Sequence, residues 1–368
     1  MPLMLVAVFG VFQIILVLMH AATYQTFAAA FNINWPWLAW LFGILSVTFV
    51  SSSVLAHRFC NAFVRWYYRF GMYWFGLIIF LTQAAYLCFF LEVGLYHSGI
   101  YVVPSILGTI CFGGFFILHS YATWQTSRVK VSSFTATLPD GMSWPELWRG
   151  KKIVFVSDVH LGAARGVGLA KKVAAKIEAE SPEAVFIGGD IFDGVKCHPV
   201  SLIEPLASLR PPQGIYFASG NHEYIEDTAT MIADIKRMNI RVLKNEKIDL
   251  HGIQLVGVDW KDTKDRDDFG KALKDLHIDH AKPSILLRHE PSHLDIAEQA
   301  GVSLTLCGHT HHGQIFPLRF ITHKMYQGFD YGLKSLGKMK VYTSSGVGTW
   351  GPPLRLGTKA EIVAITFN

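Results

Sequence analysis

The first 57 residues contain no Asp, Glu, Lys or Arg, and this limits what the chain can become more than any other feature. Through residue 125 only Arg58, Arg65, Arg69 and Glu92 carry formal charge. Four uncharged apolar stretches fall in this region, about Leu3–His20, Trp35–Leu55, Gly71–Phe90 and Val102–Leu118. Each approaches the ~20 residues with which an α-helix crosses a hydrocarbon core. Trp35, Trp37, Trp66, Tyr67, Tyr68, Trp74, Tyr101 and Trp124 lie at or near their ends, where amphipathic rings favour the headgroup level. The first stretch lacks the charged start of a cleaved signal and three more follow, so residues 1–125 are expected to form a transmembrane helical domain of about four spans.

The loops set an expected orientation. Arg58, Arg65 and Arg69 occupy the second connection, and Arg128, Lys130, Arg149, Lys151 and Lys152 follow the fourth stretch. Positive charge on alternate connections predicts both termini inside, hence an integral protein of a bacterial inner membrane with its remaining part in the cytoplasm and lipids as partners. The formal net charge of +5 is too small to argue for nucleic acid as a partner. Oligomeric state has no signature.

Residues 126–150 read as a linker and first edge strand, with Val129, Val131, Phe134 and Ala136 alternating before the turn signal Pro139-Asp140-Gly141. From Lys151 short apolar runs alternate with helical spacing. Strands are expected at Ile153–Val156, Ala184–Ile187 and Ile215–Ala218. Helices are expected at Leu169–Ala179, near Val200–Leu209 and across Ala229–Met238. Strands then dominate, at Leu255–Val258, Ile285–Leu287, Leu304–Cys307, Lys340–Thr343 and Glu361–Thr366, while Arg266–His277 reads as an amphipathic helix. Such a pattern predicts a layered α/β domain over residues 151–368, with its chemistry at the C-terminal ends of strands.

Polar clusters sit at those ends. Asp158 and His160 follow the first run and, two apart, would share one face of an extended chain. Gly189-Asp190-Ile191-Phe192-Asp193 follows the second, Gly220-Asn221-His222-Glu223 the third, Arg288-His289 a later one, and Gly308-His309-Thr310-His311 another. Any single motif is as well explained by a helix cap, a turn or a buried histidine; five in series are not.

In this order D-x-H, G-D-x-x-D, G-N-H-E, H and G-H-x-H resemble the calcineurin-like metallophosphoesterase superfamily. The segments 308–315 and 345–357 are similar to its membrane-attached bacterial branch called YkuE-like. The resemblance covers about Lys151 to the C-terminus and implies a four-layer α/β/β/α sandwich holding two divalent ions, with Mn, Fe or Zn all suited to such donors. By resemblance, one ion is held by Asp158, His160, Asp190 and His311. The other is held by Asp190, Asn221, His289 and His309, so that Asp190 bridges. Two ions about 3.5–4 Å apart clamp a phosphate and bring a shared water toward neutral pKa, so that hydroxide attacks phosphorus in line. His222 is then the expected general acid, hydrogen-bonded and oriented by Asp193.

The residue after Asp193 is Gly194, where the Ser/Thr protein phosphatases carry a phosphate-gripping arginine, so a phosphoprotein substrate is disfavoured. Arg288, Arg355 and Arg165 lie beside the expected loops and are candidates for phosphate binding. His312 stands where the branch has glycine and is not assigned to a metal. The aromatic-rich stretch Ile315–Leu333 reads either as a lid over an acyl chain or membrane surface, or as ordinary core. The expectation is a phosphohydrolase of a phosphorylated, lipidic substrate; UDP-diacylglucosamine pyrophosphatases belong to the wider resemblance. The alternatives are a phosphodiesterase of soluble nucleotides or diesters, and a metal-binding interaction module without catalysis.

Overall fold

The computed structural model describes residues 3–139, 141–194, 200–225 and 228–368; Asp140, in the expected turn, lies outside them. The chain divides into two compact units, Met1–Trp124 with Gly351–Leu354, and Gln125–Trp350 with Arg355–Asn368.

The first unit is helical: α1 (Leu3–Phe31), α2 (Pro36–Ser46), α3 (Thr48–Arg58), α4 (Ala62–His97) and α5 (Pro104–Gln125). Pro36 and Pro104 open their helices, where a missing N–H costs nothing, and Asn61 caps α4 by accepting from the Val64 N–H at 2.9 Å. α2 and α3 meet at Val47 and make one apolar length, so the helices long and apolar enough to cross a membrane are Phe9–Phe31, Pro36–Arg58, Ala62–His97 and Pro104–Gln125. Four were expected; they run longer than the apolar runs because polar residues at their ends continue the helical hydrogen bonding. Their outer surfaces carry Trp40, Ile44, Phe90 and Ile117 in the open, a surface unsuited to water. His20 and Thr23 turn inward and pair, Thr23 with Thr82 at 3.2 Å. His20 contacts the Leu16 carbonyl at 2.7 Å and accepts from Trp74 Nε1 at 2.8 Å.

The second unit begins with β1 (Lys130–Ala136), β2 (Lys152–Val156), α6 (Val167–Ala179), β3 (Ala184–Ile187), α7 (Glu204–Ala207), β4 (Ile215–Phe217), α8 (Thr228–Arg237) and β5 (Ile240–Val242). It continues with β6 (Glu246–Leu250), β7 (Ile253–Gly257), α9 (Arg266–Asp275), β8 (Ser284–Leu287), α10 (Leu294–Gln299) and β9 (Leu304–Cys307). Last come α11 (Leu318–Met325), β10 (Gly332–Leu336), β11 (Met339–Thr343) and β12 (Glu361–Phe367). Two six-stranded sheets result, in the orders β1-β12-β2-β3-β4-β5 and β10-β11-β9-β8-β7-β6. β2 to β5 run parallel in the first, and β7, β8, β9 and β11 in the second.

Alternation along each strand builds the layers. In β2, Ile153 and Phe155 join a core shared with Leu255, Ile285, Leu304 and Leu306 of the other sheet. Val154 and Val156 face the opposite way, into a core with Val173, Ile177, Met231 and Ile235 of α6 and α8. A third core packs Phe269, Leu273 and Ala297 of α9 and α10 on Val256, Leu286 and Val341. Strands apolar on both faces must be covered on both, and the four-layer α/β/β/α sandwich is the outcome. The helix at α9 was expected as solvated, and its polar face is; Phe269 and Leu273 anchor the other face. β1 and β12, parallel to each other, run against β2, while the loops after β2, β3, β4, β8 and β9 gather on one side of the unit.

Candidate metal centre

At the end of β2 the chain leaves extended geometry abruptly. Asp158, His160, Asp190, His309 and His311 all have φ between 47° and 69°, a left-handed conformation costing non-glycine residues about 1 kcal/mol or more each. The turn aims successive side chains at one point. Two glycines make the approach possible. A Cβ on Gly220 would stand 2.3 Å from Asp190 Oδ1, and one on Gly308 2.3 Å from Asp158 Oδ2.

The structure brings all seven expected donors together. Asp158, His160 and His311 form one group whose donor atoms lie within 4.8 Å of one another, and Asp190, His289 and His309 form a second. Asn221 Oδ1 joins the second, 3.1 Å from His289 Nε2 and 2.9 Å from His309 Nδ1. Asp190 lies between the groups, with Oδ2 3.2 Å from His289 Nε2 and 3.8 Å from His160 Nε2. Its other oxygen accepts from the His222 N–H at 2.8 Å. Asp158 is held across the sheets by the His309 N–H, at 3.0 and 3.1 Å.

The chemistry of the donors fits a divalent cation. His160 Nε2 and His311 Nε2 face each other at 3.1 Å, and the Nδ1 atoms of both rings are buried with no hydrogen-bond partner among the described residues. A cation at this point would collect the two facing Nε2 lone pairs. His289 Nδ1 lies 2.7 Å from the Gly188 carbonyl, which fixes that nitrogen as the N–H and turns Nε2 inward. Burial holds His160 and His311 well below the usual imidazole range and His309 down at about 4, so these three are neutral donors at pH 7. Burial also pulls His289 down, but Asp190, Asp158 and the Gly188 carbonyl outweigh it and raise it to about 10. Asp190 would be raised by burial, yet the surrounding imidazoles hold it well below the usual carboxylate range.

His222 stands at the rim with its side chain 21% exposed and Nε2 4.0 Å from Asp190 Oδ2. Its Nδ1 meets the main-chain carbonyl of Asp193 at 3.0 Å. This corrects the expected pairing. The Asp193 carboxylate lies over Gly162, so close that a Cβ there would come within 2.1 Å, and a neutral carbonyl sets the His222 tautomer instead. Nε2 also falls within donor range of His160 and Asp190.

The two arginines proposed for phosphate are also corrected. Arg288 is buried over the Phe269 ring at 3.8 Å, and its nitrogens donate to Thr263 and Ser292. Arg355 is wholly buried and donates to the carbonyls of Ser345, Gly346, Gly348 and Lys359 at 2.6–3.0 Å. The terminal nitrogens of both are engaged inside the fold. Arg165, half-buried, donates to Thr349 Oγ1, and His312 stacks on Tyr331 at 4.3 Å between centroids.

Glu223 was quoted in a motif without a role, and the structure supplies one. Fully buried, it accepts from the N–H groups of Asp190, Ile191 and Gly220 at 2.7–2.9 Å. One carboxylate thus ties the loop after β3 to the loop after β4. Burial, then Asp190, raises it to about 7. Its sequence signal was an acid directly after Gly-Asn-His at a strand end.

Carboxylate, amide and imidazole donors buried at parallel strand ends define a centre of the hydrolytic-metal class. Residues 151–313 match the model of the calcineurin-like phosphoesterases. An uncharacterized metallophosphoesterase of Aquifex aeolicus is 31% identical over 261 residues, 68% of this chain and 97% of that protein. The chain belongs to the calcineurin-like phosphoesterase family. It is also 36% identical over 228 residues to an uncharacterized metallophosphoesterase of Campylobacter jejuni, covering 61% of each. A Bos taurus transmembrane protein with metallophosphoesterase domain is 34% identical over 244 residues, 61% of this chain and 54% of that one. The match spans about three fifths of the length of the first relatives, 61% in the Campylobacter protein and 58% in one from Helicobacter pylori.

Proposed function

We propose that this protein is a membrane-anchored, two-metal phosphohydrolase that cleaves a phosphoester or pyrophosphate bond in a lipidic substrate. The observation that carries the reading is the position of Asp190, common to two buried donor groups supplied by five loops. When bound, two divalent cations supply charge neutralisation for a phosphoryl group and a nucleophilic water. Asp158, His160 and His311 would hold one, Asn221, His289 and His309 the other, with Asp190 between. The rest falls to side chains at the rim. The Asp193 carbonyl keeps the Nδ1 proton of His222 in place, leaving Nε2 facing the centre to carry a proton to the departing oxygen. The four long apolar helices support a substrate that also resides in the membrane, and the basic residues after Arg58 and after α5 support a cytoplasmic domain in a bacterial inner membrane.

The test is turnover of UDP-diacylglucosamine, and of a generic aryl phosphodiester, by detergent-solubilised protein with Mn²⁺, with Asp190→Asn as control. Release of UMP and a lipid phosphate by the wild type alone supports the reading. Cleavage of the diester alone removes the lipidic substrate, and no cleavage of either favours an interaction module. His222→Ala should retain metal and lose about 10²–10⁴-fold on poor leaving groups but far less on activated esters; equal losses would count against proton donation.

A further inference from the structure

The segment after the last donor, His311, presents an inverted surface. Phe316, Leu318, Phe320, Ile321 and Met325 are 39–63% exposed, and no residue of α11 is buried. The more buried side of α11 is polar: its half-buried residues are Arg319 and Thr322, and Thr322 bonds to the Arg319 carbonyl at 3.0 Å. The exposed His323 reaches Asp330 through Nδ1 at 2.9 Å. Leu318, Ile321 and Met325 recur at helical spacing on the outward side. The core reading therefore holds for Phe329, which packs on the third core, and fails for residues 316–325, whose apolar side chains point away from the protein. Trp350, 52% exposed, is held nearby through both side-chain hydrogen bonds of Gln314.

Two observations say what covers this face. Arg319 lies over the rings of Phe316 and Phe320, at 5.4 and 5.0 Å, and Lys324 is exposed on the same helix, so apolar rings and cations share one surface. The Phe316 N–H bonds to the Leu356 carbonyl, and three residues on, Lys359 adjoins Lys130, which is also near Arg128. The basic cluster is thus joined by short backbone steps to the start of the apolar segment. In sequence, Arg128 and Lys130 follow α5 directly, with residues 126–129 between α5 and β1.

We propose that α11 with Phe316 seats in the interface of an anionic bilayer, its apolar side chains among acyl chains and Arg319 and Lys324 among headgroup phosphates. The proposal deepens the reading above, since it brings the rim of the centre to the level at which a lipid carries its phosphate. Its physical content does not depend on turnover.

The experiment uses the full chain in nanodiscs of phosphatidylethanolamine and phosphatidylglycerol, with benzoylphenylalanine replacing Phe320, Ile321 or, as control, Lys236 on α8. Irradiation should give lipid adducts at 320 and 321 and none at 236, with fewer when phosphatidylglycerol is omitted. Adducts to a second copy of the chain, or none, would overturn the proposal. So would adducts that form only after a phosphorylated lipid is added, which would make the face an acyl groove. In parallel, Ile321→Glu with Met325→Glu should slow cleavage of a bilayer-embedded substrate several-fold and leave a soluble aryl phosphodiester unchanged. If the wild type cleaves neither, the hydrolase reading fails while the adducts still decide the docking.

Discussion

The two sheets contribute unlike chemistry to the centre. The first, through the loops after β2, β3 and β4, delivers every oxygen donor, Asp158, Asp190 and Asn221, together with His160 and His222. The second, through the loops after β8 and β9, delivers imidazoles alone, His289, His309 and His311. The oxygen half carries the negative charge that makes dication binding favourable. The imidazole half completes coordination and adds none. Neither half is a site, so the centre reports on whether the sheets are packed in register, which the shared core of Phe155, Leu255, Leu287 and Leu306 secures.

The comparison breaks most readily at Asp190. Asp190→Asn keeps the shape and removes the charge that faces both groups; turnover should fall at least about 10³-fold and bound metal should drop with it, measured by single-turnover kinetics and elemental analysis. Full activity would show that the oxygen half is not the electrostatic base of the site. A smaller loss is expected from the imidazole half. His311→Gln should weaken metal affinity about 10–100-fold, recoverable at higher metal concentration, and a loss as deep as that of Asp190→Asn would erase the distinction.

pH sharpens the same point. His311 in the folded, metal-free protein is held well below 6.5, whereas in the unfolded chain it takes a proton as pH falls through that value. The unfolded state then binds more protons, so the stability His311 contributes is present above about pH 6.5 and lost below it. Thermal melts of metal-free wild type and His311→Gln between about pH 7.5 and about pH 5 should therefore converge on the acid side; parallel curves would refute the assignment. The smallest functional effect should come from Arg355→Lys. Losing its fork to four carbonyls should cost about 3 kcal/mol of stability while KM stays within about twofold. A large rise in KM would restore Arg355 to substrate binding.

What could be read in the chain followed from burial. β2, β3, β8 and β9, apolar on both faces, stood out within a residue of their observed ends. Three strands were missed: β5, β6 and β10. Each lies at an edge of its sheet, and Arg241, Lys247 or Lys334 gives it the polarity of a loop. The donors were legible because chemistry restricts them to few residue types. Arg288 and Arg355 were misjudged for one reason. Sequence places a polar group near a site but does not reveal whether its hydrogen-bonding capacity is already consumed by main chain, and Glu223 is the converse case.

The position of β12 has a consequence in time. It inserts between β1 and β2, pairing Lys130 with Glu361 and Phe155 with Val363, and the Glu361 carboxylate accepts from the Ser345 N–H at 3.0 Å. Arg355, just upstream, grips the same loop, which runs against Asp158. During synthesis β1 and β2 therefore emerge as neighbours in sequence that cannot yet be neighbours in a sheet, and they wait for a strand made after all the others. Such distant pairing slows folding, and the loop that Glu361 holds settles against Asp158 only once β12 is in place.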